Sequence, residues 1–146
     1  MNTALKLISV FAIGVVELWG AIPAGFAFQL HPILIATASA LGSIASAVLV
    51  ILLGDALRTW ILRHRGGKAG KPGGRVRRIW DKYGVIGLGL LSPLITGAPL
   101  GAALGVSFGA SPHRLLLWMV VGIVVWSVIL TVIGALGIAR FDAARR

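Results

Sequence analysis

The sequence predicts an all-α polytopic integral membrane protein made of two inverted halves. Each half is a Pro/Gly-broken segment followed by a spanning helix, and a basic interfacial helix lies between them. Three observations carry this expectation. Of 146 residues, 58% are hydrophobic and 12% charged, with a mean hydropathy of +0.95. A soluble domain carries roughly 25% charged residues, and one small core cannot hide this much apolar surface. Four apolar blocks follow one another, Leu5–Phe28, Ile33–Leu57, Val85–Phe108 and Leu115–Ile138, broken, clean, broken, clean. Nine of the 14 basic residues fall between Arg58 and Lys82, beside apolar segments. That pattern reads as a cytoplasmic loop against an anionic leaflet, not as a nucleic-acid surface. The expected organisation is a single membrane domain over 1–146, with half one at 4–57, a basic linker at 58–83, half two at 84–139 and a basic tail at 140–146.

The first block carries Glu17 and then Gly20-Ala-Ile-Pro-Ala-Gly25, with Pro23 at the expected break. Proline removes a backbone donor, and in hydrocarbon the freed carbonyl needs a partner within the protein or a trapped water. The opening residues MNTALK followed by LISVFAIGVV resemble a signal peptide, but Glu17 and the Gly/Pro break are poor features for a cleavage region. The second block is unbroken and long enough to span, since a span needs about 20 residues. The linker centre, Gly66–Gly74, has flexible-linker composition. It is not a phosphate loop, because Pro72 follows Lys71 where Ser or Thr is required. Val76, Ile79, Trp80 and Tyr83 share one helical face. Arg75, Arg77, Arg78 and Lys82 occupy the rest, so a basic amphipathic helix is expected in the membrane interface, with Arg75, Arg77, Arg78 and Trp80 at lipid headgroups.

The third block contains the larger break, Ser92, Pro93, Thr96, Gly97 and Pro99. Glycines recur at every fourth position, Gly97, Gly101, Gly105 and Gly109, and on one helix they would leave a bare packing face. The fourth block is clean. His31-Pro32 and Pro112-His113 are the joints of the two halves. Paired interrupted segments in corresponding positions of two halves point to a transport site.

Each broken block has about 24 residues, roughly 36 Å if helical, which fits a kinked span or two half-depth arms equally. With four spans, both termini are cytoplasmic and 13 basic residues lie inside against Arg114 outside. With re-entrant hairpins, the termini lie outside and ten basic residues lie inside against four. The Arg58–Lys82 loop is cytoplasmic in both, and the expected location is the inner (cytoplasmic) membrane.

Glu17 is the acid of the first block. A carboxylate in hydrocarbon is costly and marks function by default. A switch between neutral and charged forms is what a proton-coupled carrier needs, so Glu17 is the expected protonation site. The competing reading is a structural carboxylate that accepts bonds from loose donors at the break. Ser92 and Thr96 can bond freed carbonyls or contact a headgroup or ion. Asp55 is expected to pair at the interface with Arg58. Three histidines without ligand spacing argue against a metal site, and the absence of cysteine removes disulfide and Cys-metal chemistry. No catalytic constellation is present, so the chain is read as neither an enzyme nor a cofactor protein. Its expected partners are membrane lipids and a second copy of itself, with no nucleic acid.

Glu17-Leu-Trp-Gly-Ala-Ile-Pro-Ala-Gly25 resembles the E-L-R-G-A-I-P-x-G opening of the small multidrug export protein family. Tyr83-Gly84 with Ser92-Pro-Leu-Ile-Thr-Gly-Ala-Pro-Leu-Gly101 resembles that family's second motif. The family is similar to the DedA/VTT membrane proteins. The resemblance implies two opposed re-entrant hairpins, each followed by a spanning helix, and a transport role for a small molecule or lipid carrier. Glu17 matches the motif acid, whereas Trp19 stands where the motif has Arg, and block three contains no Arg. The alternative function is a membrane scaffold whose basic loop binds anionic lipid or a partner protein. A lipid-acting enzyme ranks last.

Overall fold

The computed structural model describes residues 2–54, 56 and 75–144, and these form six helices. They are α1 (Thr3–Val16), α2 (Leu18–Ala27), α3 (Pro32–Leu52), α4 (Arg75–Ile95), α5 (Ala98–Ser107) and α6 (Pro112–Ala144). Pro32–Leu52 and Pro112–Arg140 are long and apolar enough to cross a membrane. The expected roles of Asp55, Arg58 and the Gly66–Gly74 linker lie outside the described residues, as do the side chains of Arg75, Arg77 and Arg78.

Local chemistry sets the helix ends. Asn2 Oδ1 accepts from Ala4 N at 3.4 Å and starts α1. His31 Nδ1 accepts from Ile33 N at 3.4 Å, and Pro32 opens α3 where a missing N–H has no consequence. Gly84, at φ 58 and ψ −143, separates the basic Arg75–Tyr83 segment from the apolar part of α4.

α1 and α2 fold back on each other. Lys6 Nζ, near the start of α1, donates to Phe28 O, just past the end of α2, at 2.8 Å. α4 and α5 do the same, with the Trp80 and Phe108 ring centroids 4.9 Å apart. Each hairpin then packs against its own long helix, α1 on α3 and α4 on α6, and the two long helices pack on each other.

The two halves share a backbone register of 80 residues from the hairpin turn onward. Leu18–Ala27 and Ala98–Ser107 are equal in length, and Phe28 and Phe108 end them with the same bonds. Gln29 N and Leu30 N donate to Phe26 O and Gly25 O, as Gly109 N and Ala110 N donate to Val106 O and Gly105 O. A Cβ on Gly25 would lie 2.7 Å from Ile35 Cγ1, and one on Gly105 would lie 2.6 Å from Leu115 Cδ1. The interface between halves is reciprocal too. Gly54 receives Val106, and Gly134 receives Phe26, so the long helices run antiparallel about a pseudo-two-fold axis.

Two core clusters follow this division. Val10, Leu18, Ala21, Ile22 and Ile35 fill the first. Leu88, Ala98, Ala102, Leu115, Met119 and Ile123 fill the second, which also draws in Ala40, Ala47 and Ile51 from α3.

Two expectations about the breaks are corrected. The first break is at Glu17 (φ −155, ψ 129), not at Gly20–Gly25, and Pro23 sits inside a continuous α2. Proline deletes one helical bond and tilts its helix, but reversing the chain needs a residue off the helical backbone. The glycine ladder is not one face of one helix. Gly97 caps α5 at φ 81, and Gly109 lies beyond its end, also at φ 81. Gly101 and Gly105 do pack, against Ser92 and Leu115 of their own half, so they do not join the halves.

Candidate functional site

The candidate site is where the two hairpin turns meet. α1 closes with Glu17 N donating to Ile13 O at 2.7 Å, and Ser43 Oγ of α3 donates to Gly14 O at 2.7 Å. Glu17 is therefore held between two helices, as the last cap of α1 and the first of α2. Its side chain is exposed and, among the described residues, makes no cap bond and no ion pair. It stands at the N-terminus of α2, where unpaired amides favour negative charge.

The second turn is built differently. Pro93 is buried inside α4, and the last turn closes with Thr96 N donating to Ser92 O at 2.9 Å. Thr96 Oγ1 donates to the same carbonyl at 3.3 Å, which already accepts from Thr96 N and so is not one freed by the break. Gly97, at φ 81 and ψ 158, then starts α5 in a backbone region essentially closed to residues with a Cβ. Ser92 Oγ is buried beside Gly101 and, among the described residues, has no hydrogen-bond partner.

The turns lie against each other. Trp19 Nε1 donates to Leu94 O at 3.0 Å, across the boundary between halves. A Cβ on Gly97 would lie 3.8 Å from Val16 O. Glu17, Thr96 and Gly97 therefore lie at one meeting point. Ser92 and Pro93 sit one turn back on α4, and Pro99 is half-buried in the first turn of α5. Gly20 and Pro23 are exposed on α2, while Gly25 is a packing residue of the first half.

The sequence profile of the family described as "Putative small multi-drug export protein" matches residues 17–129. The chain belongs to this family. The matched stretch runs from the turn at Glu17 through both hairpin tips and most of α6, so the meeting point lies within it. The family is named for export and not for catalysis. No curated protein and no solved structure matches the chain.

Sequence reasoning missed Trp19 and Leu94 as the contact between the tips. It also missed Gly14, Gly42, Gly89 and Gly122, where long helices and hairpin arms approach backbone to backbone. A signal existed. At an offset of 80, Gly25, Phe28, Pro32, Gly42 and Gly54 recur as Gly105, Phe108, Pro112, Gly122 and Gly134.

Proposed function

We propose that this export-family chain is a small membrane transporter. Its site would lie between the tips of two re-entrant hairpins, with Glu17 as the protonation site. The observation that carries the reading is the meeting of the tips through Trp19 and Leu94, beside Glu17. Arm lengths support re-entrance. α1, with 14 residues, is about 21 Å long, and α2 and α5, with 10 each, are about 15 Å. The hydrocarbon core is about 30 Å thick. Each hairpin also begins and ends at one level, at Lys6 with Phe28 and at Trp80 with Phe108. Hairpins entering from opposite faces would leave both chain ends outside and the Arg58–Lys82 loop inside the cytoplasmic membrane. That arrangement keeps ten basic residues inside against four outside, the same sign of bias as four spans but a weaker one. It is also what a DedA-like relationship implies. Half-helix ends aimed at a midplane site are a recurrent transporter device, and the substrate would be a small molecule or a lipid carrier.

The first test is efflux of a fluorescent lipophilic dye from proteoliposomes under an imposed pH gradient. Glu17→Gln should abolish the response to the gradient, and an unchanged response would sink the assignment. Cysteines at Thr3 and Ala144 should both react with an impermeant maleimide added outside cells. Reaction only after permeabilisation would overturn re-entrance. The scaffold reading draws on the stacking of Trp80 against Phe108, which holds the basic segment of α4 to half two. It expects that neutralising Arg75, Arg77 and Arg78 harms function more than Glu17→Gln does.

A further inference from the structure

The two halves meet through like contacts on both sides of the pseudo-axis. A Cβ on Gly54 would lie 2.9 Å from Val106 Cγ1, and one on Gly134 would lie 2.5 Å from Phe26 Cε2. The polar tie between the tips is one-sided. In the shared register the counterpart of Trp19 is Pro99, which has no side-chain donor. Leu94 O belongs to the last turn of α4, whose final carbonyls have no later N–H of their own helix to receive. In hydrocarbon an unpaired carbonyl is costly, and the Trp19 indole supplies the bond. Trp19 is 48% exposed, so core packing does not fix its ring.

We propose that Trp19 is a positioning residue that latches the hairpin tips in the arrangement seen here, and that releasing Leu94 O accompanies a second arrangement in which the halves exchange roles. The inference rests on the transport reading and adds its gate. Two antiparallel halves with a reciprocal interface can pack in two ways related by the pseudo-axis, and a bond present on one side selects one of them.

The chain contains no cysteine, so single-cysteine reporters need no background removal. Thr96→Cys places a thiol at the half-buried turn, and Ser39→Cys places one in the fully buried face of α3. Maleimide labelling rates are compared in membranes. Trp19→Phe keeps a ring and loses the N–H. One hydrogen bond of ordinary net strength sets a population ratio of about five-fold, so Thr96→Cys should label about five-fold faster with Trp19→Phe. Trp19→Arg, a long side chain with donors, should restore the slow rate. Ser39→Cys should stay unreactive throughout. An unchanged Thr96→Cys rate with Trp19→Phe overturns the latch, as does a fast rate with Trp19→Arg. A parallel rise at Ser39→Cys would show general loosening and also overturn it. The readout involves neither Glu17 nor dye efflux, so latch and transport readings can fail separately.

Discussion

Gly42→Ala probes the closest helix approach in half one, and its cost can be worked from the contacts. A Cβ there would overlap Phe11 O and lie 2.9 Å from Val15 N and 3.0 Å from Gly14 C. All three atoms are backbone, so no rotamer change relieves the clash. α1 must retreat from α3 by about 1 Å, a shift of the overpacking kind that costs roughly 1–3 kcal/mol. The retreat also stretches the bond from Ser43 Oγ to Gly14 O, now 2.7 Å, worth about 1 kcal/mol net. The intrinsic helix preference of Ala over Gly returns about 1 kcal/mol. The net loss is about 2 kcal/mol, or roughly 30-fold in the unfolding equilibrium. Gly122→Ala should cost about the same by this reckoning. Its Cβ would overlap Gly89 O and lie 3.0 Å from Leu90 Cα, disturbing the bond from Trp126 Nε1 to Leu90 O at 2.8 Å. Gly137, where a Cβ would meet none of the described residues within 4 Å, is the control, and Gly137→Ala should be neutral or slightly stabilising. Unfolding midpoints from SDS titration in mixed micelles measure all three. Wild-type midpoints for both Gly42→Ala and Gly122→Ala would refute the packing argument. A large loss at one and none at the other would refute the equivalence of the halves.

Gln29 adopts φ 57 where its counterpart Gly109 has φ 81. Gln29→Gly should stabilise the same titration by about 1 kcal/mol, since a left-handed residue with a Cβ costs that much. Lys6→Met removes the bond to Phe28 O that closes the first hairpin. A loss of about 1 kcal/mol is expected, because the group is only partly buried. Ser92→Ala deletes a buried hydroxyl without a partner. Stability should hold or rise by up to about 1 kcal/mol, so any accompanying fall in dye efflux would identify Ser92 with transport and not with folding.

The long helices were legible because length and hydropathy suffice to specify them, and α3 and α6 begin at the polar joints His31-Pro32 and Pro112-His113 that precede the clean blocks. That the segments beside them would be interrupted was legible from proline. The position of the interruption was not. Pro23 and Pro93 each delete one helical bond and stay inside helices, whereas the chain reverses at Glu17 and Gly97. A reversal is a matter of backbone angles, and Glu17 reaches its extended angle with no special residue type to announce it. The glycine ladder misled for a related reason. Equal spacing implies one face only while the helix continues, and α5 covers just Gly101 and Gly105. The Trp19–Leu94 contact was hidden because its two residues are separated by 75 positions and its acceptor is a main-chain carbonyl.

The two halves are alike where backbones pack and unlike where chemistry is expected. Gly25, Phe28, Pro32, Gly42 and Gly54 have identical counterparts at an offset of 80, while Glu17 and Trp19 correspond to Gly97 and Pro99. Close approach leaves no room for variation at these glycines, because a Cβ added at Gly25, Gly42 or Gly54, or at Gly105, Gly122 or Gly134, would lie 2.9 Å or less from a neighbouring atom. The tips are under a different constraint. Each half delivers one turn to the same space, and on the transport reading one carboxylate from one half serves it. A Glu at position 97 would have to adopt φ 81, which a side chain rarely tolerates. On the transport reading, a duplicated scaffold with a single protonation site is therefore required to be asymmetric at this position. The glycine turn of half two is what leaves Glu17 without a competing acid.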